Sequence, residues 1–141
     1  MAGGAFTDFS GTYDLVSSEG YEKYLESVKV DAATREVLTA DPQTVKITQE
    51  GDHYTFRNTV ATKESILQFT LGQEFVADFG YGDDRRAKGI ARRDFNHLTL
   101  QWKAGTTEAT VRFTADDEGL LDVVFAGPNA TTATRRYKRQ P

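Results

Sequence analysis

The sequence predicts an all-β fold, a ten-stranded antiparallel up-and-down β-barrel with a helix-turn-helix lid between strands 1 and 2. Three observations predict it. Turn signals recur at nearly even spacing after position 43, at Glu50-Gly51-Asp52, Leu71-Gly72, Gly80-Tyr81-Gly82, Asp94-Phe95-Asn96, Ala104-Gly105, Asp116-Asp117-Glu118-Gly119 and Gly127-Pro128-Asn129. The segments between them are short and rich in Val, Ile, Thr, Phe and Tyr. A single stretch near the start carries strong helical periodicity. Consecutive strands joined by tight turns favour a barrel, because closure removes the edges that an open meander leaves exposed.

Taken in order, the strands span approximately 7–16, 43–49, 53–60, 65–70, 75–80, 86–93, 97–103, 107–115, 120–126 and 131–138. Gly11 to Leu15 belong to the first, and Ser17 or Ser18 is placed to cap the helix after it. In that helix Tyr21, Tyr24, Leu25 and Val28 fall at i, i+3, i+4 and i+7, so one face is apolar while Glu22, Lys23 and Glu26 point elsewhere. A second helix runs from Asp31 as N-cap through Ala33 and Val37 and stops before Pro42. The lid covers about 17–41, and the chain, 1–141, reads as one domain. About ten strands make a barrel too wide for side chains alone to fill, so a cavity under the lid is expected.

Composition narrows the function. The 141 residues include no cysteine, which removes thiol nucleophiles, thiolate metal sites and disulfides. A net charge of −4 and a pI near 5.2 argue against nucleic acid as a partner. No apolar run approaches the roughly 20 residues that span a bilayer, so membrane contact is expected to be peripheral and transient at most. The opening MAGGAFTDFSG lacks the basic and apolar regions of a secretory signal, and a cytoplasmic protein is expected.

Gly11-Thr12-Tyr13-x-Leu15, followed by Gly20-Tyr21-Glu22-x-Tyr24-Leu25 and Val28, resembles the signature of the intracellular lipid-binding proteins, and within them the fatty-acid-binding proteins. Further matches are Ala33-Thr34-Arg35, Pro42, Leu71-Gly72-Gln73-Glu74-Phe75, Asp83-Asp84-Arg85 and Ala133-Thr134-Arg135-x-Tyr137. The resemblance implies a monomeric, noncatalytic intracellular carrier that holds one long-chain fatty acid, or a similar hydrophobic carboxylate, without a cofactor. It implies Arg112, Arg135 and Tyr137 as the ligands of the carboxylate. It also places the cavity and portal at Tyr21, Tyr24, Leu25, Val30, Leu38, Thr62, Asp83, Leu100, Trp102 and Val123. Thr62 stands where relatives often carry an aromatic residue, which implies either a looser gate or another side chain that closes it.

The chemistry supports that set. A buried carboxylate needs charge-assisted, preferably bidentate donors to offset desolvation, and arginine supplies them. Tyrosine adds a hydroxyl donor while its ring packs on the chain. Arg135 shares a strand face with Ala133 and Tyr137, opposite Arg136 and Lys138. For Arg112 two readings compete. Local alternation puts it outside, because Ala109, Val111 and Phe113 share the opposite face, whereas the resemblance, with its turn-to-arginine spacing from Gly105, puts it inside. Leu98, Leu100 and Trp102 alternate, and with Leu100 and Trp102 facing the cavity the indole narrows it, stacks on a ligand or simply packs the core.

Other candidates carry less. His53 and His97 lack carboxylates at metal-site spacing, Asn129-Ala130-Thr131 marks a turn, and Arg85, Arg86, Lys88, Arg92 and Arg93 read as a solvated strand face. From Glu19 to Asp41 six acidic residues face three basic ones, so transfer through free ligand is expected rather than by docking on anionic lipid. The alternatives are a retinoid or bile-acid carrier on the same fold and, from another class, a structural or membrane-interacting protein. An enzyme is disfavoured, since no nucleophile, base and orienting residue stand at a recognisable spacing.

Overall fold

Period-two alternation of buried and exposed residues runs through most of the chain, and the ladder of strands is built on it. The computed structural model describes residues 8–40, 42–78 and 86–141. The turn at Gly80-Tyr81-Gly82, the Asp83-Asp84-Arg85 motif and Asp41 lie outside these. The strands are β1 Gly11–Glu19, β2 Gln43–Glu50, β3 His53–Val60, β4 Lys63–Thr70, β5 Phe75–Asp78, β6 Arg86–Asp94, β7 His97–Ala104, β8 Thr107–Ala115, β9 Leu120–Ala126 and β10 Thr132–Arg139. Two helices, α1 Tyr21–Ser27 and α2 Ala32–Leu38, separate β1 from β2.

All ten strands form one antiparallel sheet in the order β4-β3-β2-β1-β10-β9-β8-β7-β6-β5. The last strand pairs with the first, so the sheet curls into a nearly closed barrel. Its seam lies between β4 and β5, where Gly72 N–H donates to Ala91 O at 2.9 Å and Phe69 stacks on Phe75 with centroids 5.5 Å apart. The stack continues to Trp102, whose ring meets that of Phe75 edge-on at 5.3 Å. Gly89 leaves room for this arrangement, since a Cβ there would stand 2.5 Å from the end of the Phe75 ring.

The first strand starts and ends later than alternation suggests, and the expected serine cap is absent. β1 continues through Ser17 and Ser18 to Glu19, and α1 starts after Gly20, whose φ of 74° is left-handed and which offers no side-chain cap. Val16 interrupts the β1–β10 register as an extra, exposed residue, because Leu15 opposes Tyr137 while Ser17 opposes Arg136. Such a bulge flips the parity of the residues beyond it, and Ser18 therefore comes opposite Arg135. The serine read as a helix cap becomes a neighbour of the buried arginine.

The second cap is as expected. Asp31 accepts a hydrogen bond from Thr34 N–H at 2.7 Å, and this contact, with the charge of Arg35, holds its carboxyl below the usual range. α1 seals one end of the barrel through Tyr24, Leu25 and Val28, all fully buried, with the Tyr24 ring 5.0 Å from that of Phe125 on β9. α2 buries no residue and touches the interior through its last one, Leu38.

Candidate functional site

The inward faces of the strands and the underside of the lid enclose a cavity of about 150 Å³. Leu100 and Trp102 on β7, Val111 and Phe113 on β8, Val123 and Phe125 on β9 and Phe56 on β3 give it an apolar wall. Polar groups gather at Gln43, Asn58, Arg135 and Tyr137, close to Tyr21 and Leu38 of the lid. A wider depression of about 420 Å³ lies on the outside between Lys88, Gln101, Lys103 and Glu108, but its charged groups meet solvent and it encloses nothing.

Arg135 is the chemical centre, with only 4% of its surface exposed. Its Nε donates to Ser18 Oγ at 3.1 Å, and its Nη1 donates to Gln43 Oε1 at 2.7 Å and to Tyr137 Oη at 3.3 Å. The guanidinium carbon stands 3.9 Å from the Tyr21 ring centroid. Every one of these partners is neutral, and Nη2 donates to none of the described residues. A buried cation is costly without an acidic partner, and the described residues offer Arg135 none, so the part of the pocket they form is complementary to an anion. Burial pushes the Tyr21 and Tyr137 phenols above their ordinary value, with the Arg135 charge pulling against it. Both therefore stand as neutral O–H groups beside the cation.

The expected site residues divide into three sets. Tyr21, Leu38, Leu100, Trp102, Val123, Arg135 and Tyr137 come together on the cavity wall. Tyr24, Leu25 and Val30 are buried in the packing that fastens the lid, beyond the cavity surface, and Thr62 is exposed on the β3–β4 turn. Asp83 lies outside the described residues. Arg112 does not join the head group. It is exposed, paired across the sheet with Thr99 and Val124, while its neighbours Val111 and Phe113 point inward. The period-two pleat forces this, because a strand cannot aim three successive side chains to one face.

Gln43 is a site residue that sequence reasoning missed. The alternation Gln43, Val45, Ile47 on β2, all buried, carries the signal, but a polar residue at the first position of a strand does not by itself point to the interior. Among the described residues no cluster of His, Asp or Glu could hold a metal ion, and no helix is long and apolar enough to cross a membrane. Arg93, expected on a solvated face, donates through Nη1 to Tyr54 Oη at 2.6 Å and lies over the Phe9 ring.

No protein-family model matches the chain. It is 29% identical over 131 residues to a fatty acid-binding protein of Tyrophagus putrescentiae, covering 93% of this chain and 97% of that one. It is 30% identical over 132 residues to the sodium/calcium exchanger regulatory protein 1 of Doryteuthis pealeii, covering 94% and 96%. Among solved structures, a fatty-acid-binding protein from brain tissue of Drosophila melanogaster superposes with a TM-score of 0.82 at 32% identity, covering 93% and 99% of the two chains.

Proposed function

The chain belongs to the fatty-acid-binding protein family, and from that premise we propose that it is a noncatalytic carrier of one long-chain fatty acid or similar hydrophobic carboxylate. The head group sits against Arg135 and Tyr137, and the chain lies along the aromatic wall. We place it in the cytoplasm as a monomer that releases its cargo to solution.

The observation that carries this reading is Arg135, a buried cation whose hydrogen-bond partners among the described residues are all neutral and whose Nη2 has no acceptor there. A carboxylate supplies the missing charge and the acceptor together. Burying about 16 carbons contributes a gross gain on the order of 12 kcal/mol before ordering costs, so the chain gives affinity and the arginine gives orientation. The cavity of about 150 Å³ is smaller than the 300 Å³ or so at which ordinary ligand pockets begin. Loading therefore widens it, at the lid or between the aromatic rings.

One relative is named for regulating an ion exchanger. Displacement of a fluorescent fatty-acid probe by oleate, methyl oleate and retinoic acid tests the reading. Oleate should displace it at the lowest concentration, with the ester weaker by about tenfold or more, since only the acid pairs with Arg135. Equal displacement by acid and ester overturns the carboxylate reading, and stronger displacement by retinoic acid identifies a retinoid carrier.

A further inference from the structure

Gln43 joins the centre of the cavity to the lid. Only 6% exposed, it accepts from Arg135 Nη1 at 2.7 Å through Oε1 and donates to Leu38 O, at the end of α2, at 2.9 Å through Nε2. Its orientation is set by its partners, because a guanidinium only donates and a backbone carbonyl only accepts. The amide thus bridges a donor at one end and an acceptor at the other.

A carboxylate on Arg135 changes the first of those partners. End-on bidentate binding needs one proton from Nη1 and one from Nη2. Nη2 has no acceptor among the described residues, but Nη1 is already engaged by Gln43 and Tyr137. An ionised acceptor competes better for the Nη1 proton than a neutral amide oxygen does. Once the carboxylate is seated, Oε1 faces an anion and is repelled. Turning the amide brings Nε2 to the carboxylate and Oε1 toward Leu38 O, where two acceptors meet and no hydrogen bond forms.

Resting on the carrier reading, we infer that Gln43 is a head-group residue that exchanges Arg135 for the ligand carboxylate and, in doing so, releases Leu38 O at the end of α2. A neutral head group leaves the latch closed. Gln43 is thereby a specificity residue whose partner reports which kind of head group is bound.

Hydrogen exchange by NMR tests this on the full chain with palmitate and with methyl palmitate. The reporters are the amides of Thr39 and Ala40, which close the last turn of α2 on Arg35 O and Val37 O. Exchange at both should be at least about threefold faster in the palmitate complex than in the ester complex, because local opening tracks the lost tether. Gln43→Met should abolish that difference. Gln43→Glu, which gives Arg135 an internal counter-ion, should weaken palmitate by about 30-fold or more and the ester by less than about threefold, since only the acid's charge has become redundant. Equal exchange in the two wild-type complexes, a difference that survives in Gln43→Met, or equal losses in Gln43→Glu overturns the inference while the carrier reading stands. If neither palmitate nor its ester binds, both fall.

Discussion

The guanidinium of Arg135, on the last strand, lies 3.9 Å from the ring centroid of Tyr21, the first residue of the lid helix. Cation–π contact of this kind contributes about 0.5–2 kcal/mol, and here it adds to the neutral partners that hold the charge among the described residues. It also means that the lid is fastened to the group proposed to hold the carboxylate. Removing Arg135 should therefore show in binding before it shows in folding. Arg135→Met should weaken palmitate by about 3 kcal/mol or more, the cost of stranding a buried charge, and change the methyl ester far less. Isothermal titration with both ligands checks it, and equal losses would make Arg135 a wall residue.

Arg112 gives the opposite expectation. Its side chain is exposed on the outer face of β8, so Arg112→Ala should leave palmitate affinity within about twofold and stability within about 0.5 kcal/mol of the parent. A tenfold loss of the acid alone would mean that the strand presents its other face when loaded.

Alkaline pH should loosen the protein through two phenols. Burial raises the folded values for Tyr21 and Tyr137 above the ordinary value of 10.0, so the unfolded chain releases those protons first as pH rises. Their contribution to stability is complete below pH 10 or so and declines above it, toward the folded values. Urea midpoints at pH 9 and pH 11 should differ more in the parent than in Tyr21→Phe or Tyr137→Phe. Identical slopes in all three would remove the phenols as the cause.

The seam offers a packing test. In Gly89→Ala the new methyl meets the Phe75 ring, which is held between Phe69 and Trp102. Overpacking of this sort costs about 1–3 kcal/mol. A lower melting temperature together with a shift in the emission of Trp102, the chain's single tryptophan, would place the strain there. A lower melting temperature with unchanged emission would place it elsewhere.

The architecture was largely legible in the sequence. Ten β-prone segments, even turns and the i, i+3, i+4, i+7 pattern at Tyr21, Tyr24, Leu25 and Val28 are local signals, and all ten strands and both helices answer to them. The inward parity of Arg135 with Ala133 was equally readable, since the pleat repeats every two residues. Arg112 is instructive because its own neighbours pointed outward correctly, and only the likeness to a family argued for the inside.

The rest depended on where distant segments meet. Ser18 faces Arg135 because one extra residue, Val16, shifts the β1–β10 register, and a bulge leaves no mark in the composition of a strand. Gln43 reaches Arg135 across 92 residues of sequence. The sequence by itself determined the strands, the lid and the inward parity of Arg135, because propensity and periodicity act within a few residues. Only the tertiary structure decided that this arginine meets the neutral groups of Ser18 and Gln43 and is tied through Gln43 to the lid, because those contacts exist only once the barrel has brought β1, β2 and β10 side by side.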